Sequence, residues 1–226
     1  MTIAEQLTQT MEPLLDAVYA AGKAAGGGGG DNPLKYAAQT NRVFYNANFP
    51  EGYELVIDIP SCFGDVSEMF RGATGLKKLT FNAPQGVALA ANYFVYTTAA
   101  RPSSLEELVF PNGVKFGSFS NFAIRASKLH TVTGSIDLSQ STTNDSCFKY
   151  CEALVNVSFV EGTITKSLSF AQSANLSDAS ILSLVVGLAD LTGQTTQTLT
   201  VHETVYDKII ANYDISSDKN WTLAKA

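Results

Sequence analysis

The sequence has few of the side chains that metal sites, disulfide frameworks and catalytic centres require. It contains three cysteines and two histidines in 226 residues. The cysteines, Cys62, Cys147 and Cys151, are odd in number and form no Cys-x-x-Cys pair, which argues against a disulfide framework and against a zinc site. We therefore expect neither a metal ion nor a cofactor.

The two histidines also give little support to catalysis. Nucleophilic catalysis needs a base beside the nucleophile, whereas His130 and His202 each lie in or next to a predicted strand. The adjacent carboxylates Glu106 and Glu107 would point to opposite faces of a strand, so they cannot act together on one bond. We therefore predict that the protein is not an enzyme.

Positive charge and long apolar runs are scarce as well. With 15 Lys and Arg against 21 Asp and Glu, the net charge is −6 and the isoelectric point is about 4.9. Bulk charge therefore does not supply the phosphate-neutralising surface that nucleic acid needs, and only Arg71, Lys77 and Lys78 form a small basic patch. No run approaches the roughly 20 apolar residues of a membrane span, and Glu5 precedes any basic residue, unlike in a secretory signal. We expect no nucleic-acid partner and no membrane insertion.

What the sequence does contain is a five-fold repeat. A Phe is followed by a Leu and then by a second apolar residue, and the Phe residues recur at intervals of 24, 28, 26 and 22. A period of this length is typical of leucine-rich or related solenoids. We predict a leucine-rich-repeat solenoid, mainly β with short helical turns, over residues 60–176. The repeated residues are Phe70, Phe94, Phe122, Phe148 and Phe170.

Each repeat is predicted to contain a Phe loop, a one-turn helical bend, a strand and a second extended piece. Alternation of apolar residues in two places per repeat predicts two sheets around a common core, and we expect the Phe side chains to stack from repeat to repeat. Three residues after Phe, repeats aligned without a gap carry Ala73, Cys151 and Ser173, which predicts a small buried position. The alternative for Cys151 is a redox pair with Cys147.

The segment before the repeats is predicted to have three parts. Residues 1–25 place apolar side chains on one face and predict an amphipathic helix. Residues 26–31 begin with five consecutive glycines and predict a flexible linker. Residues 32–59 are predicted to form an N-terminal cap and the first rung, since solenoids need modified ends.

Residues 177–226 are predicted to form a helical C-terminal cap, because the repeat period changes there. Ser177 is a typical N-cap for a helix that we expect to stop at Gly193. A strand at Thr198–Val201, a second helix near Glu203–Tyr213 and an edge strand beginning at Trp221 would follow. The predicted inward-facing residues are Ile181, Leu184, Val185, Leu188 and Leu191 for the first helix, and Val205, Ile209 and Ile210 for the second.

Two of the repeats resemble a known family. Residues 147–159 read Cys-Phe-Lys-Tyr-Cys-Glu-Ala-Leu-Val-Asn-Val-Ser-Phe, and residues 69–81 read Met-Phe-Arg-Gly-Ala-Thr-Gly-Leu-Lys-Lys-Leu-Thr-Phe. This pattern resembles the BspA-like, or Treponema pallidum type, leucine-rich repeat family, in the short form found in gut Firmicutes and their prophages. The resemblance implies a non-enzymatic surface-associated or phage-associated protein that acts in adhesion or host recognition. The localisation is not fixed by the resemblance; because neither a signal peptide nor a membrane span is predicted, we expect the cytoplasm or a phage particle.

Two regions are candidates for binding. Outward-facing strand residues form polar columns that suit a glycan or a protein surface, although solvated strand-favouring residues give the same pattern. The insertion between Phe94 and Leu105 is predicted to emerge as a loop with amphipathic aromatic residues. The candidate face consists of Lys78, Thr80, Glu107, Val109, Thr131, Thr133, Asn156 and Ser158, and the candidate loop residues are Tyr93, Tyr96 and Arg101.

Two functions remain open from the sequence. The first is a recognition module that binds a glycan or a surface protein through the strand face or the loop. The alternative is a structural or assembly component, such as a phage tail or appendage spacer, attached through the helix in residues 1–25. An amphipathic helix without a partner is marginal in water, so that helix could also mediate self-association.

Overall fold

The computed structural model describes residues 42–59 and 64–226. The chain divides into two units, Met1–Ala37 and Ala38–Ala226, and all of the described residues belong to the second unit. The predicted helix in residues 1–25, the linker at residues 26–31, the first part of the predicted cap and Cys62 lie outside the described residues. These predictions stay predictions.

Strands dominate the described part of the chain, which contains ten strands and three helices. Every paired strand lies parallel to its partner. Parallel neighbours follow from the repeat, because each repeat sends its strand in the same direction. The strands are β1 (Asn48–Asp58), β2 (Thr74–Asn82), β3 (Ala88–Ala90), β4 (Glu107–Val109), β5 (Val114–Ser118), β6 (Thr131–Asp137), β7 (Asn156–Phe159), β8 (Leu168–Phe170), β9 (Gln197–Val201) and β10 (Trp221–Lys225), and the helices are α1 (Asp178–Gly187), α2 (Glu203–Asn212) and α3 (Ile215–Lys219).

The sheet arrangement corrects the predicted fold class. Seven strands form one sheet in the order β1-β2-β4-β6-β5-β3, with β7 paired to β6, and a second sheet has the order β10-β9-β8. The larger sheet is curled into a half-barrel, and helices are few. The prediction of a leucine-rich-repeat solenoid, with two sheets around a common core and short helical turns, is therefore wrong.

Strand β6 explains why the two predicted sheets are one. Its first half pairs with β4 through Thr131–Thr133, and its second half pairs with β5 through Ile136 and Asp137. Gly134 lies between the two halves with a φ of 95°, and a Cβ at this position would overlap the carbonyl oxygen of Phe110. Glycine permits both the φ and the close approach. Strand β6 therefore continues through Gly134 and joins the two predicted sheets into one.

The turns that carry the repeated Phe residues, here called the Phe turns, are not helical. Non-glycine residues with positive φ occur in them, such as Glu68 at 59° and Asn121 at 55°, and such residues do not continue a right-handed helix. Alternate N–H groups of a turn bond within it, such as that of Arg71 to the Glu68 carbonyl oxygen, and the others bond to the following turn. The Glu68 N–H donates to the Asn92 carbonyl oxygen at 2.9 Å, and the Phe70 N–H donates to the Phe94 carbonyl oxygen at 2.9 Å. Successive Phe turns are therefore joined by a hydrogen-bond ladder of their own.

The predicted stack of Phe side chains is confirmed. Each repeated Phe is at most 2% exposed, and the centroids of successive rings lie between 5.1 and 6.0 Å apart. Phe44 extends the stack, with its centroid 5.0 Å from that of Phe70. Ring pairs of this kind stabilise a core by about 0.5–1.5 kcal/mol beyond the burial of their area. The Phe stack thus fixes the position of every Phe turn.

The predicted small position in the Phe turns is confirmed as well. Ala73, Cys151 and Ser173 are all buried, and the Cys151 thiol donates to the Ala123 carbonyl oxygen at 3.0 Å. Burial raises the pKa of the Cys151 thiol and raises that of Cys147 to about 12. Because the thiolate is the reactive form, these two free, buried thiols support packing and not a redox pair.

Helix α1 covers the outer edge of β7. Ser177 is its N-cap, as predicted, and accepts the Ser180 N–H at 3.2 Å. The Ser180 Oγ accepts the Val157 N–H at 3.0 Å, and the Ser183 Oγ accepts the Phe159 N–H at 2.9 Å. Two serine side chains thus bind strand N–H groups that would otherwise be open to another strand, which closes this edge.

Helix α1 ends earlier than predicted. Its last residue is Gly187, not Gly193, because Leu188 adopts an extended conformation and forms a parallel bridge with Ile164. The Lys219 Nζ donates to the Leu188 carbonyl oxygen at 2.7 Å, and burial lowers the pKa of this ammonium group. The predicted apolar residues that are buried here are Ile181, Leu184, Val185, Leu188 and Leu191.

The second sheet ends the chain. The predicted strand at Thr198–Val201 and the predicted edge strand at Trp221 are confirmed as β9 and β10. Trp221 is 1% exposed, and its Nε1 donates to the Ala189 carbonyl oxygen at 2.9 Å. In α2, Val205 is buried as predicted, whereas Ile210 is 56% exposed, so its predicted inward orientation is wrong.

Candidate functional site

The residues of the predicted strand face form two rows across β2, β4, β6 and β7, except for Ser158. Strand pairing places the members of each row side by side across the larger sheet. Ser158 is the exception, because it pairs with Ser135 after a register shift in β6, and its Oγ donates to the Gly134 carbonyl oxygen at 3.2 Å. The first row is Lys78, Glu107, Thr131 and Asn156, and the second row is Thr80, Val109 and Thr133.

The polar groups of the strand face bind one another. The Lys78 Nζ lies 2.8 Å from the Glu107 Oε2, and this hydrogen bond raises the pKa of Lys78 and lowers that of Glu107. The Asn156 Nδ2 donates to the Thr131 Oγ1 at 3.4 Å, and its Oδ1 accepts from the Ser177 Oγ at 3.2 Å. Side chains that satisfy each other leave few groups for a ligand, which favours the interpretation of a solvated strand surface.

The small basic patch expected from the sequence is neutralised by acidic neighbours. The Lys77 Nζ lies 3.7 Å from the Glu106 Oε2, and Lys78 has its pair with Glu107. Exposed pairs of this kind contribute little to stability, but they cancel the local positive charge.

The candidate loop divides into two parts with different contacts. The Arg101 Nε donates to the Gly72 carbonyl oxygen at 2.7 Å, and its Nη2 donates to the Asn46 carbonyl oxygen at 2.8 Å. Arg101 therefore holds two neighbouring turns together. Tyr93 and Tyr96 form an edge-to-face pair with ring centroids 5.5 Å apart, so these two loop residues are brought together and Arg101 has a separate, structural role.

Tyr93 and Tyr96 lie with Tyr45 and Arg71 in what we call the tyrosine cluster. The Arg71 Cζ lies 5.0 Å from the Tyr96 ring centroid, 5.6 Å from that of Tyr93 and 5.7 Å from that of Tyr45. Tyr45 and Tyr93 are 38% and 37% exposed. The tyrosine cluster therefore presents amphipathic rings around a guanidinium group at the protein surface.

A largely buried carboxylate holds the arginine of the tyrosine cluster in place. The Glu68 side chain is 16% exposed, and its Oε1 accepts from the Arg71 Nη1 at 2.7 Å. Its Oε2 lies 2.6 Å from the Arg42 Nη2. Arg71 is thus held by both a carboxylate and aromatic rings, which restricts its side-chain conformations.

Sequence reasoning identified only half of the tyrosine cluster. It proposed Tyr93 and Tyr96 from the insertion but missed Tyr45 and gave Arg71 only as part of a basic patch. Each of the two directly follows a member of the Phe stack, Phe44 or Phe70. That position alone does not mark the surface, because Val95 and Ala123, which follow Phe94 and Phe122, are buried.

The histidines form no reactive cluster among residues 42–59 and 64–226. The His130 Nδ1 lies 3.0 Å from the Thr131 Oγ1. His202, predicted as a strand residue, is the N-cap of α2, and its Nδ1 accepts the Thr204 N–H at 3.2 Å. In the described residues no three His, Cys, Asp or Glu side chains lie together as a metal site. The same part of the chain has no helix with the length and apolar character to span a membrane.

A polar groove lies between the start of β9 and the segment before β8. Its volume is about 530 Å³, and Gln197, which lines it, already accepts from the Ser167 N–H at 3.0 Å and from the Ser167 Oγ at 2.9 Å. Small-molecule sites are mostly apolar with a few polar groups, so this groove is a poor candidate. Its lining residues are Thr165, Lys166, Leu191, Gly193, Gln194, Thr195 and Gln197.

Comparison with protein-family models, curated proteins and solved structures gave no match. The resemblance of residues 69–81 and 147–159 to BspA-like repeats therefore stays a prediction. The function has to be argued from the geometry of the described residues.

Proposed function

We propose that the protein is a non-enzymatic recognition module that binds a surface protein through the tyrosine cluster. The observation that carries the proposal is the position of Arg71 among three tyrosine rings, two of which are more than one third exposed. Tyr and Arg are the residue types that most often dominate the binding energy of protein interfaces. The Phe stack and the turn ladder provide the rigid support that such a surface needs.

The contacts of the rings favour a protein over a neutral glycan. Sugars bind aromatic residues by stacking on free ring faces, whereas Arg71 lies over one face of each of Tyr45, Tyr93 and Tyr96, and Arg42 also lies over Tyr45. The hydroxyl groups and ring edges remain for hydrogen bonds and packing, which is how tyrosine acts in protein interfaces. The proposal of a glycan ligand is therefore the weaker of the two.

The strand face is the control surface in this proposal. Its charged and amide groups have partners within the face or at the N-cap of α1, and polar surfaces whose groups are already paired seldom contain binding hot spots. The alternative function, a structural component attached through residues 1–25, concerns residues outside the described part of the chain and stays a prediction.

The double variant Tyr93→Ser/Tyr96→Ser should reduce the affinity for the bound surface protein by roughly 30-fold or more, because an interface hot spot contributes about 2 kcal/mol or more. The ligand is first selected on an array of surface proteins and glycans, and the affinity is then measured by biolayer interferometry. The single variant Tyr93→Ser, at an exposed position, guards against a loss of folding.

The matched control is Thr131→Ala/Thr133→Ala on the strand face, which should change the affinity by less than about threefold. An equal or larger loss in this control would contradict the proposal. Binding confined to glycans, and unchanged in both double variants, would contradict it as well.

A further inference from the structure

A second group of cations surrounds a tyrosine farther along the Phe turns. The Arg125 Cζ and the Lys149 Nζ each lie 5.3 Å from the ring centroid of Tyr150. The Arg125 N–H donates to the Lys149 carbonyl oxygen at 2.9 Å, so the two cations belong to successive, hydrogen-bonded Phe turns. We call Arg125, Lys149 and Tyr150 the cation cluster.

The cation cluster differs from the tyrosine cluster in having no acidic partner. Glu68 pairs with both Arg71 and Arg42, whereas none of the ion pairs within residues 42–59 and 64–226 includes Arg125 or Lys149. Two neighbouring cations that share one ring repel each other unless an anion lies between them. The cluster therefore has unused capacity for negative charge.

The backbone of the cation cluster is held in an unfavourable conformation. Arg125 and Tyr150 have φ values of 65° and 64°, which bulky residues rarely adopt. The corresponding position in an earlier Phe turn is Gly72, which has a φ of 68° and adopts it without steric cost. The same positive φ occurs at Glu68, Asn121 and Ser146, so it belongs to the geometry of the Phe turns, and the inference rests on the contacts and charges of the cation cluster.

The arginines of this acidic protein are confined to the Phe turns and their contacts. The net charge is −6, and the chain has four arginines, Arg42, Arg71, Arg101 and Arg125. All four lie in or contact the Phe turns. Arg42 and Arg71 pair with Glu68 and Arg101 donates to backbone carbonyl oxygens, so Arg125 is the arginine with charge left for an acidic partner, whose association such a charge favours.

We propose that the cation cluster binds a carboxylate in an acidic segment of the partner protein, an inference that rests on the proposed function. The Arg125 guanidinium can donate two parallel hydrogen bonds to one carboxylate, while Lys149 adds a second positive charge and the Tyr150 hydroxyl a donor. The partner is thus a protein with clustered Asp or Glu side chains, engaged by the cation cluster beside the contact made by the tyrosine cluster.

The test uses a fluorescein-labelled octaglutamate peptide and an octaglutamine peptide of the same length, titrated with the full chain at low ionic strength and followed by fluorescence anisotropy. Octaglutamate should bind at least about tenfold more tightly than octaglutamine. The variant Arg125→Gly should bind octaglutamate roughly tenfold more weakly than the wild type. Its melting temperature should equal that of the wild type or exceed it, because glycine adopts the positive φ without strain.

The matched control is Lys166→Gln/Lys208→Gln, which removes two exposed positive charges elsewhere and should leave the affinity for octaglutamate within about twofold. Equal binding of the two peptides, or an equal loss in this control, would overturn the proposal. If polygalacturonate binds in an Arg125-dependent manner and octaglutamate does not, the partner is an anionic glycan and the proposal is also wrong.

The failure of this inference can be told apart from failure of the proposed function. If the selected surface protein binds through Tyr93 and Tyr96 but is insensitive to Arg125→Gly, only the inference about the cation cluster fails. If the Tyr93→Ser/Tyr96→Ser variant binds the surface protein as the wild type does, the proposed function fails whatever the peptides show.

Discussion

The variant Gly134→Ala is expected to lose about 4 kcal/mol or more of its free energy of unfolding, a loss at the extreme of single substitutions. An alanine at a φ of 95° is strained by roughly 1–3 kcal/mol. Its Cβ would also overlap the carbonyl oxygen of Phe110, which already accepts the Gly113 N–H at 2.9 Å. That carbonyl cannot move away without breaking the turn after β4, so both costs apply.

The loss is measured by urea denaturation, followed by circular dichroism and by the fluorescence of Trp221, the single tryptophan. The matched control is Gly162→Ala, where φ is 66° and no atom lies within 4 Å of the added Cβ. This control should cost only the conformational strain, about 1–2 kcal/mol. Equal losses for the two substitutions would contradict the close approach between Gly134 and the Phe110 carbonyl oxygen.

The free energy of unfolding of the variant Phe148→Ala is expected to be about 3–5 kcal/mol lower than that of the wild type, because the substitution leaves a cavity in the Phe stack. Phe148 is fully buried, and its ring centroid lies 5.1 Å from that of Phe170 and 6.0 Å from that of Phe122. Removing the ring therefore separates the Phe turns on either side. The same urea titration measures the loss.

Phe49→Ala is the control for this substitution. Phe49 is partly exposed and contacts Phe44 and Tyr53 at 5.7 and 5.5 Å between ring centroids. Phe49 is not one of the repeated Phe residues of the Phe stack. Its replacement by Ala should lower the free energy of unfolding by about 1–2 kcal/mol. A loss of stability in Phe148→Ala no greater than this would contradict the central role of the Phe stack.

The parts of the fold that could be predicted are those in which the spacing of apolar residues directly reflects their burial. The spacing of the repeated Phe residues reflects burial in every turn, and the stack was therefore predictable. The small position shared by Ala73, Cys151 and Ser173 was visible for the same reason. Ser177 was predictable as an N-cap because its chemistry is local.

The fold class could not be predicted because it depends on one glycine. Two apolar alternations per repeat indicated two sheets, but β6 continues through Gly134 and pairs on both sides of it. A sequence does not distinguish a glycine that ends a strand from one that bends a continuous strand, because the difference lies in the approach of Phe110. The exposed Ile210 was mispredicted since apolar residues also occur on surfaces.

The candidate site was predictable only where it coincided with an insertion. Tyr96 lies in the insertion between Phe94 and Leu105, whose length differs from that in the other repeats, and Tyr93 directly precedes Phe94. Tyr45 and Arg71 are separated from them in sequence and meet them only because the Phe turns stack. The strand face was overvalued, since the pairing of Lys78 with Glu107 across strands becomes visible only with the register.

Hydroxyl-radical footprinting of the protein with and without its bound ligand tests the central claim most directly. The account predicts that the oxidation rates of Tyr45 and Tyr93, which are 38% and 37% exposed in the free protein, fall severalfold in the complex. Tyr206 and Tyr213, in and at the end of α2, should be unaffected and serve as internal controls. Unchanged oxidation of Tyr45 and Tyr93 in a saturated complex would contradict the claim that the protein recognises its partner through the tyrosine cluster.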